Sequence, residues 1–510
     1  MSPSAIDNAV DPAPAHRGLV TISVMLASIL QALDTTIANV ALPHIRGSLS
    51  ATLEQMGWVL TSYIVASAIM TPLSGWLAGQ IGRKKVLVVS AAGFTIASAL
   101  CGMAQSLSQL VFFRLLQGLC GAALVPLSQA VLLDINPPER HGRATAIWAM
   151  GVLIGPIIGP ALGGWLTENH SWRWVFYINV PFGIFSVLGI LSFLRETTVR
   201  RTRFDFFGFA TLSLAIGALQ IMLDRGQLLD WFSSTEIWFE AVVSALAFYL
   251  FLVHTVTARE PFVSPALFKD RNFAVGNVFI FMIGVVLFAT LALLPPLLQD
   301  LLNYPVITTG LVTAPRGIGG FLTMALVGRL VGRVDARVLI ATGLGATAVS
   351  LWMMCGFSPQ MDESPVIWSG FMQGVGTGFA YVPLAAVSFA TLSPQFRYEG
   401  TAIFNLLRNV GSSIGIAAMQ AILTRNTQIM HARLAEHIVP YGGELAAHSP
   451  YNLGTAHGLA ALNASVTRQA AMIAYNNDFK LLLVLTVAVI PLLLVLRSGR
   501  SAAGAAVVAE

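Results

Sequence analysis

Fourteen runs of mostly apolar residues, each roughly 20 long and separated by Gly, Pro and charge, set the rhythm of this chain. They fall near 19–42, 57–79, 85–104, 108–133, 142–167, 173–194, 205–224, 235–257, 273–298, 306–331, 336–355, 364–390, 399–424 and 478–497. As helices, such runs are long enough to cross a hydrocarbon core of ~30 Å. A transmembrane barrel would instead show alternating segments of ~10 residues, and the pattern has none. Glycine and proline inside the runs are compatible with membrane helices, where neighbours and local adjustments satisfy freed backbone groups. The pattern predicts an all-α, polytopic protein with fourteen transmembrane helices, its main partner being the lipid bilayer.

Composition agrees. Of 510 residues, 55% are hydrophobic and 10% charged, against about 25% charged in a soluble domain. The formal charge of +5 is no nucleic-acid signal, because the basic residues sit between apolar runs and are not clustered with aromatics. Their placement sets orientation. With the N-terminus inside, alternate segments hold nineteen Lys and Arg, among them Arg83, Lys84, Lys85, Arg140, Arg143, Arg200, Arg201, Arg333 and Arg337. The short segments on the other side hold only Arg46, Arg173 and Arg225. This bias predicts that both termini are cytoplasmic and supports an even span count. Cys101, Cys120 and Cys355 all fall in apolar runs without metal-site spacing. The polar stretch 1–17 precedes a run too long for a signal peptide, so the first span is expected to be retained. Residues 425–477 form the one long outer segment and include the common acceptor tripeptide Asn463-Ala464-Ser465.

The two halves repeat. Gln117-Gly118 with Gly121 and Pro126-Leu127 in span 4 matches Gln373-Gly374 with Gly376, Gly378 and Pro383-Leu384 in span 12. The loop 79–83 matches 328–333, and Gly151 and Gly155 in span 5 match Gly411 and Gly415 in span 13. Each pair is offset by roughly 250–260 residues, so span n pairs with span n+8, the signature of a parallel repeat in rocking transporters. The expected domains are a tail (1–18), a six-helix bundle (19–194), and two additional helices with a linker (195–271). A second bundle (272–497, with the outer segment 425–477) and a tail (498–510) complete the chain. A substrate path belongs between the bundles near the midplane.

Ionisable residues within the spans are functional candidates. Asp34 lies about 8 residues from the outer end of span 1, ~12 Å deep, and Arg114 about 6 from that of span 4, ~9 Å deep. An ion pair is therefore allowed, and a carboxylate there is neutralised by a proton or by the arginine. Gln31 and Gln117 extend the same helix faces as a polar stripe. Arg316 in span 10 and Arg408 in span 13 sit near mid-depth and must face a cavity or a partner. Tyr63 is a further cavity candidate. Asp224-Arg225 and Glu240 lie near the outer boundary, where solvation is the simpler explanation. Gly151, Gly155, Gly159 and Gly163, with Pro156, Pro160 and Gly164 beside them, form a smooth ridge. Such a ridge admits a second backbone, as two rocking bundles require.

No phosphate loop, zinc-protease helix, nucleophile elbow or paired-cysteine site is present. ATP-driven pumping, a resident metal, a cofactor and a membrane-embedded enzyme thus have no constellation to stand on.

At these residues the chain resembles the major facilitator superfamily, in its fourteen-span drug:proton antiporter branch of the EmrB/QacA type. Leu33-Asp34-Thr35-Thr36-Ile37-Ala38-Asn39-Val40-Ala41-Leu42-Pro43 is similar to that branch's span-1 signature. Arg114 with Gln117-Gly118 resembles its span-4 motif, and Gly155 to Gly164 the span-5 motif of exporters. Trp174 to Pro181 after it is equally typical of the branch, and Leu223 to Gln227 with Asp230-Trp231-Phe232 looks especially like the EmrB group, which brings Asp224 forward. The loop motif keeps Gly75, Gly82, Arg83 and Lys84, but its acidic position is Gly79, so the family's charge latch lacks its acid in this loop. The resemblance implies proton-coupled export of hydrophobic or amphipathic drugs across a bacterial inner membrane, with Asp34, Arg114 and Asp224 as proton-coupling residues. It also implies a membrane-fusion adaptor and an outer-membrane channel as partners. Export of one metabolite, such as a siderophore, antibiotic or fatty acid, is the alternative on the same fold.

Overall fold

The computed structural model describes residues 16–137, 140–196, 203–393, 396–436, 438 and 455–497. Most of the expected tails (1–15 and 498–510), Arg200, Arg201 and residues 439–454 of the outer segment lie outside the described residues, as does the side chain of Pro156.

The first bundle comprises α1 (Arg17–Leu49), α2 (Leu53–Ile81), α3 (Arg83–Met103), α4 (Leu107–Gly121) continued by α5 (Leu124–Ile135), α6 (His141–Asn169), and α7 (Trp174–Tyr177) continued by α8 (Asn179–Phe193). Two extra helices follow, α9 (Phe206–Arg225) and α10 (Thr235–Thr257), then the short α11 (Ala266–Lys269). The second bundle comprises α12 (Arg271–Pro296), α13 (Val306–Leu330), α14 (Ala336–Met354), α15 (Ser364–Ala390), α16 (Arg397–Glu436) and α17 (Ala456–Val489). Among the described residues these make fourteen long helical passages. Among the described residues thirteen are long and apolar enough to span a membrane by length and composition. The fourteenth, α15, is 27 residues long and uncharged, with its hydropathy diluted by Gly, Ser, Gln and Thr.

Local chemistry starts these helices. Thr52 and Gln55 form a reciprocal capping box on α2, and Ser106, Asp205, Asp270 and Thr455 each accept a backbone N–H at the start of a helix. Asp205 also accepts from Phe262 N and sits 2.9 Å from His254 Nε2. Burial alone would raise the Asp205 pKa, but bonds from Gly208, Phe262 and His254 outweigh it and hold the carboxyl below its usual range. Gly82 and Gly332 occupy matching turns in the two repeats with φ of 92° and 89°, a backbone conformation that favours glycine.

The described parts of the outer segment are largely helical. α16 runs on to Glu436 and α17 starts at Ala456, well before the hydrophobic run beginning at 478. Hydropathy ends where a helix meets water, but the helix does not. His431 and Asn463 face each other at 3.0 Å between the two extensions.

Burial shows how the bundles meet. Many basic residues between spans gather at one end, called here the basic end. There a single apolar cluster joins both bundles, including Leu133, Trp148, Phe273, Phe389 and Phe404. Toward the opposite end the cores are separate, one around Ile37, Leu110 and Phe176, the other around Leu293, Leu351 and Phe479. The bundles are thus joined at the basic end and hold independent cores at the other. α9 reaches both: Gly217 faces Ile69 of α2, and Gln220 donates to Ser413 of α16 at 2.7 Å.

Candidate functional site

Asp34 and Arg114 come together in the interior, each side chain 1% exposed, with Nη1 to Oδ2 at 2.6 Å. α1 supplies the acid, α4 the base, and the bond was legible as an allowed pairing from depth alone. Gln117 Nε2 donates to Asp34 Oδ1 at 2.9 Å, and Gln117 Oε1 accepts from Arg114 Nη1 at 2.8 Å. Arg114 Nε donates to Val59 O at 3.2 Å. Its guanidinium lies 4.3 Å from the Tyr63 ring centroid and 5.7 Å from that of Phe176. Gln31 lies beside the Tyr63 hydroxyl.

Asn179 completes the cluster. Its Nδ2 donates to Asp34 Oδ1 at 2.9 Å and to Ser98 Oγ at 3.0 Å, and Ser98 in turn donates to Phe176 O. Asn179 lies within the segment 174–181, where the sequence alone points to no role for it. The signal was an amide entering an apolar helix, which has to find a partner. Asp34 thus accepts from three side chains on two other helices, all buried.

The glycine ridge does not lie between the bundles. A Cβ on Gly155 would stand 2.6 Å from Ala32 C and 2.7 Å from Leu33 N, and Gly151, Gly159 and Gly163 face Met25, Thr36 and Ile37. All four therefore press α6 against α1 within one bundle, and Thr36 Oγ1 donates to Gly155 O at 3.1 Å. Spacing identified the smooth face but not what it packs on. The second repeat does the same, Gly411 and Gly415 meeting the backbone of Phe281 and Val285 on α12. The inter-bundle seam uses another face of α6, where Leu153 and Ile157 meet Gly320 and Gly317 of α13. Gly164 has only Val40 Cγ1 nearby, 3.9 Å from a built Cβ.

At the basic end, Arg83 Nη1 bonds Asp134 at 2.7 Å and Tyr398 Oη at 3.0 Å. Arg397 Nη1 reaches the other Asp134 oxygen at 3.0 Å, and Tyr398 Oη donates to the same carboxylate. Asp134, at the end of α5, thus binds one basic residue from each bundle. Sequence reading missed Asp134 because it closes an apolar run, where a carboxylate reads as solvated. Gly75 packs close to the backbone of Tyr398 and Glu399 across the same junction. Lys84 donates to Leu191 O at 2.7 Å.

Asp224 stands apart. It is exposed, accepts from Thr61 Oγ1 of α2, and has no hydrogen bond to the Asp34 cluster among the described residues. Arg316 and Arg408 are also apart from that cluster. Arg316 Nη2 donates to Gln373 Oε1, and Gln373 Nε2 donates to Thr290 Oγ1 at 2.8 Å. Arg408 Nη2 makes a long 3.4 Å bond to Asn409 and lies beside the Tyr381 hydroxyl. Asp478, read as the first residue of a span, is 0% exposed inside α17, with neither carboxylate oxygen hydrogen-bonded. Among the described residues no group of three or more His, Cys, Asp or Glu comes together as a metal site.

A family model described as Major Facilitator Superfamily matches residues 24–416. The chain is 39% identical over 479 residues to the "Fatty acid resistance protein FarB" of Neisseria gonorrhoeae, covering 93% of this chain and 94% of that protein. It is 38% identical over 470 residues to the "Multidrug export protein EmrB" of Escherichia coli K12, covering 90% and 91%. Among solved structures, the proton:xylose symporter XylE superposes with a TM-score of 0.60 at 13% identity, over 92% of this chain and 95% of that one. At that identity the likeness is one of fold.

Proposed function

The chain belongs to the Major Facilitator Superfamily, in its EmrB-like branch, and on that premise we propose that it is a proton-coupled antiporter exporting hydrophobic and amphipathic compounds. It is a multi-pass membrane protein of a transporter family. We place it in a bacterial inner membrane with both termini cytoplasmic. The excess of Lys and Arg in alternate segments supports that orientation.

The observation that carries the reading is the buried Asp34, held by Arg114, Gln117 and Asn179. Ionised, it neutralises Arg114 and satisfies three donors. Protonated, it leaves a buried guanidinium uncompensated, and a broken buried pair costs about 3–5 kcal/mol. Proton arrival therefore cannot leave the bundle as it is: α1, α4 and α8 must rearrange or substrate must arrive or leave. With the bundles joined at the basic end, access is from the opposite face, the side from which an exporter takes its proton. Exposing the other face requires the Asp134 clasp to open. Asp224, at the outer end of α9 beside Thr61, would be a proton-entry group on that face.

The name of the EmrB relative favours broad drug export, and the FarB name favours one dedicated substrate class such as fatty acids. Inverted vesicles with an imposed pH gradient decide between them. Gradient-driven uptake of several unrelated compounds is expected. Uptake of one class alone assigns the dedicated exporter, and no gradient-driven uptake of any compound removes antiport.

We further propose that the paired extensions of α16 and α17 contact a membrane-fusion adaptor leading to an outer-membrane channel. They continue as helix roughly 18 Å and 33 Å past 424 and before 478, at 1.5 Å per residue. The full chain should co-purify with its adaptor. A variant with both extensions replaced by a short turn should not, and undiminished capture would sink the idea.

A further inference from the structure

The two bundles carry the same polar scaffold with different charge balance. One repeat length after Gln117 stands Gln373, and one repeat length after Asp34 stands Thr290. Their contact is also the same: Gln117 donates to Asp34 at 2.9 Å, and Gln373 donates to Thr290 at 2.8 Å. A guanidinium completes both sites. Arg114 supplies it in the first. In the second the matching position is Gly370, and Arg316 enters from α13 instead, its Cβ 3.8 Å from the Cβ position of that glycine and its Nη2 bonded to Gln373 Oε1. The first site is neutral because Asp34 faces Arg114. The second has no acid: among the described residues neither Arg316 nor Arg408 forms a salt bridge.

Resting on the antiporter reading, we propose that the Arg316–Gln373–Thr290 site binds the acidic headgroup of an amphipathic organic carboxylate, with Arg408 as a second cation. An interior cation without a counter-ion is strongly disfavoured, so the missing charge has to come from outside the chain. A planar guanidinium matches a carboxylate through two parallel bonds, and Thr290 Oγ1, which donates to Val286 O and accepts from Gln373 Nε2, fixes the orientation of that amide beside it. The surroundings suit an apolar body. Gly317 and Gly320, flanking Arg316, pack on Ile157 and Leu153 of α6, and Tyr381 beside Arg408 stacks on Trp148 of the same helix at 6.4 Å. Both arginines are thus at the wall shared by the two bundles, where an alternating-access path must run.

The test is equilibrium binding without any gradient, so that it stands or falls separately from transport. The full chain in phosphatidylcholine nanodiscs is titrated calorimetrically with dodecanoate, dodecanol and dodecyltrimethylammonium, at a pH where dodecanoate is ionised. Wild type should bind dodecanoate at least ~10-fold more tightly than the cationic probe. Arg316→Gln should erase that preference and leave dodecanol affinity unchanged. Thr290→Asp should also erase it with the arginine still in place, because it rebuilds the neutral arrangement of the first bundle, and it serves if the arginine variant does not fold. No anion preference in wild type overturns the proposal, as does an equal loss for all three probes in both variants. Displacement of dodecanoate by phosphatidylglycerol in the disc overturns it too, by making the cation a lipid-headgroup site. Charge-selective binding without gradient-driven export supports the site and removes the antiporter reading alone.

Discussion

Asp34→Asn abolishes pH-gradient-driven export, by ~100-fold or more, while substrate exchange without a gradient persists. Asn can still accept from Gln117 or Asn179 and nearly fills the space of Asp, so the packing of α1, α4 and α8 is kept. What it lacks is a removable proton and a charge. Arg114 then stays uncompensated in both conformations, where the wild type switches between a satisfied and an unsatisfied pair. A purely structural role for Asp34 would lower gradient-driven export and passive exchange together. A coupling role separates them, and it also removes the dependence of export on pH. Inverted vesicles report both quantities on one preparation. Export driven by the gradient at the wild-type rate would end the coupling assignment. Asp34→Glu, which keeps the titrating group but lengthens it, should retain measurable coupling at reduced rate.

Much of this arrangement can be read from the chain, because a membrane forces it into the residue pattern. A bilayer of fixed thickness sets run length, and cation placement sets orientation, so the helix count follows from local information. Depth along a helix is likewise local, and depth suffices to pair Asp34 with Arg114. The repeat shows through because Gln117 and Gln373 fill the same role in both halves. What could not be read is which surface meets which. The glycines of α6 announce a close approach, but spacing cannot tell α1 from α13, and they chose α1. Asp134 is hidden for a related reason: its partners Arg83 and Arg397 are far away in sequence, and only the docking of the two bundles brings them to one carboxylate. The helical extensions of α16 and α17 are missed because hydropathy reports contact with lipid, not helicity. Asp478 follows from the same blindness, since it becomes interior only once α17 is seen to begin at Ala456.

The packing of α6 on α1 sets up the second large effect. Gly155→Ala should lower both stability and export sharply, whereas Gly164→Ala should change neither. The two glycines differ little in sequence terms, both belonging to the same exporter-like motif. In space they differ in what a methyl group meets. At Gly155 it lies 2.6–2.7 Å from main-chain atoms of Ala32 and Leu33, which cannot turn aside as a side chain can. At Gly164 the nearest atom is a valine methyl at 3.9 Å, an ordinary contact. Overpacking of a rigid interior costs about 1–3 kcal/mol, and Ala at Gly155 recovers up to ~1 kcal/mol of helix propensity. A fall of several degrees in the unfolding midpoint of detergent-solubilised protein is therefore expected. The effect on export should be larger than the effect on stability. Relief of the clash displaces α1 next to Asp34, and displacement of a reacting group by ~1 Å is enough for a ~100-fold loss. Gly164→Ala gains propensity with no collision, so its midpoint should stay level or rise. A Gly155→Ala protein that melts and exports like wild type would mean that α1 slides on α6 without consequence, and the ridge would then be packing alone.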